Sequence, residues 1–284
     1  MENNSINFVK ARHGNFLHYN YDEFVGLSIR EYGEWSELLL KKIISFLNDS
    51  DFVFDIGSHI GTFTIPISKK IGENGKVFSF EPQKMLYYLQ AGNLALNDIY
   101  NVELKNFGLA RKKETRLIED FDYSQLGNFG GVTFTKEYDN KKFTQIRSKK
   151  LIPTHMINLD EFLHIEKCNL IKMEAELLEL EIIKGGGGFL KKFRPILVVE
   201  NDPLDPTKLN KLLMKKDYKL FWFSYHFFNQ DNFFINSENY FKLGGKFYIF
   251  CFPREYKINS HNIKNMEEIT CPEQKCYGAN KNKI

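Results

Sequence analysis

No run of apolar residues in this chain approaches the roughly 18–20 that a membrane-spanning helix needs. The first residues, Met1 to Ser5, lack both the basic start and the apolar stretch of a secretion signal. Membrane insertion and secretion are therefore not expected, and a cytoplasmic location is. Cysteine is scarce, with four residues in the chain. Cys168 and Cys251 sit in apolar segments and read as small buried residues. Cys271 and Cys276 lie in a polar stretch with only His261 nearby, short of the ligands a structural zinc site takes. No disulfide framework is indicated, which fits a reducing compartment. Arginine is scarcer still relative to its partner: 7 of the 39 basic residues are Arg and 32 are Lys, for a net charge of +3. Arg is the residue suited to bidentate phosphate and base contacts, so nucleic acid is not an expected partner.

What is present is an ordinary globular composition, 43% apolar and 26% charged over 284 residues, enough for one large α/β domain or two small ones. Strand-like runs fall at 52–56, 76–80, 102–107, 169–174, 195–200, 217–223 and 246–252. Helical patterns lie near 35–47, 61–71, 83–97, 176–184 and 206–216. This alternation predicts βαβ units, a mostly parallel sheet and helices on both faces. Residues 6–34 are aromatic and turn-rich and read as a cover over the sheet edge, within an N-terminal unit at 1–50 that includes a lead-in helix. The main domain is placed at 51–258. Inside it, 108–158 reads as an inserted hairpin with Gly127, Gly130 and Gly131 at turns, and 259–284 reads as a polar, disordered tail. The glycine run Gly185–Gly188 reads as the C-cap of a helix ending near Lys184.

The chemistry concentrates in Asp55-Ile56-Gly57-Ser58-His59-Ile60-Gly61-Thr62, an apolar strand ending in an acid and turning through glycines into a helix. Gly57 permits a tight turn and Gly61 a close approach at the helix start. Glu81, at the end of the second strand, is placed to accept hydrogen bonds from both hydroxyls of a ribose. The glycine spacing is not the G-x-G-x-x-G of a dinucleotide loop. An acid two residues before the first glycine repels a pyrophosphate but attracts an ammonium and a sulfonium. That selects S-adenosylmethionine over a nicotinamide dinucleotide.

With Tyr32-Gly33-Glu34-Trp35, Phe80-Glu81-Pro82-Gln83, Asn128-Phe129-Gly130-Gly131, Leu159-Asp160-Glu161-Phe162 and Glu200-Asn201-Asp202, the sequence resembles the FkbM-type family of S-adenosylmethionine-dependent methyltransferases over most of residues 10–253. Trp222, Asn229, Asn232 and Phe233 match as well. The resemblance implies a class I methyltransferase, Rossmann-like fold: a seven-stranded sheet with its last strand antiparallel. It implies cofactor contacts from Tyr32, Glu34, Asp55, Gly57, Ser58, His59, Gly61, Thr62, Glu81, Pro82 and Asn106. Two departures stand out. The family's Ile-Lys-x-Asp-x-Glu-Gly is Ile171-Lys172-Met173-Glu174-Ala175-Glu176-Leu177 here, and His59 stands where many methyltransferases have Gly or Asn.

With Asp55 and Glu81 assigned to the methionine and ribose ends of the cofactor, Glu174, Glu200 and Asn201 remain to converge beside the methyl group. Two carboxylates and an amide resemble the arrangement of divalent-metal O-methyltransferases, so Mg²⁺ bound by Glu174, Glu200 and Asn201 is one reading, and direct polar contact without metal the other. Glu174, Glu200 and His226 are the candidate catalytic residues; His226 is included because an imidazole titrates near neutrality, although the family's histidine follows the tryptophan directly, where this chain has Phe223. An acceptor pocket is expected around Trp222, Tyr225, His226, Asn229 and Asn232, with a sugar-like ring in mind; the alternative is that Trp222 is core and the asparagines form turns. The leading function is O-methylation of a hydroxyl on a small molecule or sugar. N-methylation of a small amine, and a catalytically impaired cofactor-binding protein, are the alternatives.

Overall fold

A computed structural model describes residues 5–131 and 147–277. The apex of the expected hairpin (132–146) and the end of the expected tail (278–284) lie outside the described residues. The chain opens with a hairpin, β1 (Ile6–Ala11) and β2 (Gly14–Tyr19), then helices α1 (Val25–Tyr32) and α2 (Glu37–Ile44). The nucleotide-loop half follows: β3 (Phe52–Ile56), α3 (Thr64–Ile71), β4 (Lys76–Phe80), α4 (Lys84–Leu96) and β5 (Val102–Lys105). Next come β6 (Gly108–Leu109), β7 (Glu114–Phe121) and β8 (Arg147–Ile157), which form a small separate sheet, and then β9 (Leu170–Met173). The chain continues through α5 (Glu179–Gly185), α6 (Gly187–Phe193), β10 (Ile196–Glu200), α7 (Thr207–Lys215), β11 (Tyr218–His226), β12 (Gly245–Pro253) and β13 (Glu267–Ile269).

The main sheet runs β13-β11-β12-β10-β9-β3-β4-β5. Neighbours from β10 to β5 are parallel, and β12 is inserted antiparallel between β10 and β11. All seven expected strands are present, in the expected class I arrangement. Strands β3, β9 and β10 are buried along nearly their whole length because both faces are covered, and are apolar but for Asp55, Lys172 and the terminal Glu200. Phe54 at the centre packs against Phe78, Phe80, Phe162 and Phe189, each such burial worth roughly 1.5–3 kcal/mol. Helix α4 turns Leu86, Leu89, Gln90, Asn93 and Leu94 inward at helical spacing. Among the described residues, no helix is long and apolar enough to cross a membrane.

Two expectations are corrected. Residues 259–277 are not a loose tail: β13 adds an eighth strand on the edge of β11, and Trp222 Nε1 donates to the Gln274 carbonyl at 3.1 Å. The glycine run ends a helix as expected, α5 closing at Gly185 with Gly186 as its C-cap, and the same Gly186 then starts α6. A Cβ on Gly185 would stand 2.6 Å from the Ala110 carbonyl, and Asp160 accepts from the Gly188 and Phe189 amides to cap α6. Gly127 is no hairpin turn; it bridges to Asp22 and ties the N-terminal cover to the insertion. The cover is fixed from the other side by Asn93 of α4 and by Asn97, the residue that caps it, which bond the backbone of Leu17 and Asn15.

Candidate active site

The carboxyl ends of β3, β4, β9 and β10 open into one cleft of about 380 Å³, roofed by the N-terminal cover and the insertion. Its floor is the loop after β3. That loop is pinned to the sheet by the Gly57 and Ser58 amides, which donate to the Phe80 carbonyl at 3.0 and 3.1 Å. Gly57 has φ +76°, and a Cβ there would fall 1.8 Å from the Glu174 carbonyl oxygen. The close approach that requires glycine is therefore made by the neighbouring strand, not by a ligand. Gly61, expected at the ligand, lies off the cleft beside Gln90.

The two strand-end acids do different things. Glu81 lines the cleft, its carboxylate held by the His59 amide at 2.9 Å and the Gln83 amide at 2.8 Å. Burial pushes its pKa up to about 7. Asp55 is wholly buried beneath the loop and does not line the cleft. It accepts from Thr64 Oγ1 at 2.6 Å and faces Lys172 Nζ at 3.2 Å. The expected contact of Asp55 with a cofactor ammonium is corrected: its carboxylate already has an internal cation. Ser58 and Thr62 line the cleft, but the Ser58 hydroxyl is turned to Gln90. His59 also lines it, with φ +53° and Nε2 3.6 Å from Asp22 Oδ2. Burial pushes this imidazole down to about 3 and Asp22 up to about 6, so His59 is neutral near pH 7.

Tyr32, Glu34 and Asn106, expected at the cofactor, are framework. Glu34 accepts from Arg12 Nε (2.6 Å), Asn229 Nδ2 (2.8 Å) and the Phe233 amide (3.1 Å). Tyr32 ties the cover to Glu238 and Tyr240. Asn106 donates to the Glu81 and Pro82 carbonyls and so shapes the loop whose Pro82 faces the cleft.

At the other end of the cleft, Glu174, Glu176 and Glu200 bring carboxylate oxygens within 4.8 Å of one another. Lys246, from β12, places its ammonium among them, at 2.5, 3.4 and 3.0 Å respectively. Burial works against charge on Glu174, but Lys246 and Lys172 outweigh it and hold this carboxyl low. For Glu200 burial prevails over Lys246, and its carboxyl is pushed well above the usual range. The residues present do not fit the expected Mg²⁺ site. Asn201 points away, to Asn210 at 3.1 Å, and the centre of the acid cluster is taken by an ammonium. His226 is exposed, bonded to the Leu243 carbonyl, and does not line the cleft. The expected acceptor pocket is likewise displaced. Trp222 is core, Asn229 and Asn232 hold the cover and a turn, and the aromatic wall of the cleft is Phe24, Trp35 and Phe227.

A strand order of this kind, with an antiparallel strand inserted beside β10 and a glycine loop after β3, frames the comparison with known proteins. The family model of the methyltransferase FkbM domain matches residues 55–220, more than half the chain. The chain belongs to the FkbM methyltransferase family. "Methyltransferase 1" of Beauveria bassiana (strain ARSEF 2860) is 25% identical over 148 residues, 48% of this chain and 59% of that protein. "Methyltransferase sdnD" of Sordaria araneosa is 25% identical over 167 residues, 50% of this chain and 62% of that one. The chain thus spans less than two thirds of the length of these relatives. The crystal structure of methyltransferase FkbM from Methylobacillus flagellatus KT aligns with a TM-score of 0.43 at 13% identity, covering 72% of this chain and 44% of that one.

Within this FkbM domain, sequence reasoning missed Lys172, Lys246, Glu176 and Gln90. Lys172 had a signal: a charge in the otherwise apolar strand Leu170–Met173 needs a buried partner. Gln90 sits on the inward face of α4 and joins Ser58, Thr64 and Ser79 under the loop. Lys246 had none, because it meets Glu174 and Glu200 only through the strand pairing.

Proposed function

We propose that this FkbM domain is an S-adenosylmethionine-dependent O-methyltransferase acting on a hydroxyl of a small molecule or sugar. The observation that carries the reading is Glu200: a carboxylate at the end of β10 that faces the same cleft as Glu81. When bound, S-adenosylmethionine supplies a methyl group on a positively charged sulfur, and its transfer to a hydroxyl leaves a thioether and a proton. Glu81, fixed by two backbone amides, is the acceptor for ribose hydroxyls, with Phe80, Pro82 and Phe107 as apolar walls. Glu200 takes the acceptor's proton, and burial gives it the basicity a carboxylate normally lacks. Phe24, Trp35 and Phe227 present ring faces to the acceptor's carbon skeleton. A cleft roofed by the cover suits a small acceptor rather than nucleic acid.

The acid cluster favours a second reading, methylation of a small amine. Three carboxylates face one cleft-lining ammonium beside aromatic rings, a setting that attracts a cation. Both readings are tested by incubating the protein with methyl-deuterated S-adenosylmethionine and panels of sugars, other alcohols and amines. Mass spectrometry finding label on a hydroxyl oxygen supports the first reading, and label on amines alone replaces it with the second. If S-adenosylhomocysteine also fails to bind in calorimetry, the methyltransferase reading itself falls.

A further inference from the structure

The register of three adjacent strands builds the acid cluster. Val199 pairs with Met173, so Glu200 and Glu174 leave the ends of β10 and β9 side by side. Glu200 pairs with Tyr248 across the antiparallel join, which brings Lys246, two residues on, to the same face of the sheet. Its side chain is 19% exposed, and the Nζ bonds to Glu174, Glu176 and Glu200. Lys172 closes the other side of Glu174 at 3.3 Å.

We propose that Lys246 is the resident cation of this site, its ammonium standing where a divalent ion would otherwise stand among Glu174, Glu176 and Glu200, so that the cluster works without metal. Oxygen ligands close on Mg²⁺ at about 2.0–2.1 Å and on Ca²⁺ at about 2.3–2.6 Å, and must converge on one point. Here the point of convergence is occupied by nitrogen, and hydrogen-bond lengths set a wider cage. A divalent ion would have to displace that ammonium and then sit beside the ammonium of Lys172. Burial opposes the charge of Lys246, but the three carboxylates outweigh it and keep the group protonated. Lys246 is thus a positioning residue: it holds Glu200 and Glu174 in register at the acceptor end of the cleft. Its part in methyl transfer rests on the function proposed above; its part in excluding metal does not.

The test is Mn²⁺ titration by calorimetry, with S-adenosylhomocysteine titrated into the same samples. Wild type is expected to show no saturable Mn²⁺ uptake. Lys246→Met, which removes the charge and keeps most of the side chain's length, is expected to bind one equivalent at least about tenfold more tightly, because the oxygens of Glu174, Glu176 and Glu200 then face a point that no ammonium fills. Adding Glu174→Gln to that variant should abolish the gain, which a merely structural lysine would not produce. A folded Lys246→Met protein that binds Mn²⁺ no better than wild type overturns the proposal. So does a wild-type site that takes one Mn²⁺ and loses it in Glu176→Gln, a measurement that stands even if Lys246→Met does not fold. Absence of S-adenosylhomocysteine binding by wild type defeats the methyltransferase reading and leaves the ion result intact.

Discussion

Lys172 Nζ lies 3.2 Å from Asp55 Oδ1, and both side chains are almost completely shielded from water. The same ammonium donates to the Gly57 carbonyl at 2.9 Å. One buried cation therefore neutralises the strand-end acid and anchors the first residue of the loop. The loop's shape depends on a charge pair under it rather than on a ligand above it.

Lys172→Met should cost about 3–5 kcal/mol of stability, because it leaves the Asp55 charge buried without a partner. Asp55→Asn together with Lys172→Met should cost clearly less than the two single changes summed. Urea unfolding of the four proteins measures this. Additive losses would show that the two groups do not interact.

Glu81→Gln separates the charge of Glu81 from its shape. Wild-type affinity for S-adenosylhomocysteine should rise as pH passes about 7, where this carboxyl ionises and becomes a pure acceptor. The variant's affinity should be flat with pH, and about ten- to a hundredfold weaker above it. Stability runs the other way. The fold holds this proton more tightly than the unfolded chain does, so the group favours folding below its ordinary value of 4.5 and loses that contribution as pH rises through about 7. Glu81→Gln should therefore gain up to about 3 kcal/mol relative to wild type across that window. Calorimetry and urea melts at several pH values check both trends, and a pH-independent difference contradicts the assignment.

Sequence and structure part company where contacts cross the sheet. The seven strands were legible because each is a short apolar or β-branched run between helical patterns, and the order of acids at strand ends fixed which end opens. What the pattern could not say is which way an acid points. Asp55 and Glu81 both end apolar strands, yet Thr64 and Lys172 draw one inward while two backbone amides hold the other at the cleft. His226 looked catalytic from its type alone; strand alternation puts it on the solvent side of β11. β13 was hidden because three residues, Glu267–Ile269, carry no periodicity of their own and pair only because the edge of β11 is there.

Glu34→Ala should loosen the roof of the cleft while sparing the cofactor end. It strips the acceptor from Arg12, Asn229 and the Phe233 amide at once, an expected loss of about 2–3 kcal/mol. Limited proteolysis should find new cleavage within residues 227–244, the segment these bonds hold against the cover. Affinity for S-adenosylhomocysteine should stay within about threefold, since Glu81 shares no hydrogen bond with this network. Destabilisation with no new cleavage there would place the lost support elsewhere.

The C-terminal segment gives the last prediction. Ile269 is buried on the edge of β11, the Asn210 amide donates to the Pro272 carbonyl, and Trp222 donates to that of Gln274. A chain ending at residue 258 loses these contacts together and uncovers the edge of a strand whose residues 220–223 are apolar. Burial of Ile269 alone is worth about 1.5–3 kcal/mol, and a hydrogen bond to buried indole about 1 more, so the truncated protein should be less stable by about 2–4 kcal/mol. In a Trp35→Phe background Trp222 is the one tryptophan left, and its emission, excited beyond the absorption of tyrosine, should move to longer wavelength on truncation as water reaches the ring. An exposed, unpaired edge should also raise the tendency to self-associate, visible by light scattering. Unchanged emission and an unchanged urea midpoint would mean that the segment does not cover Trp222 in solution.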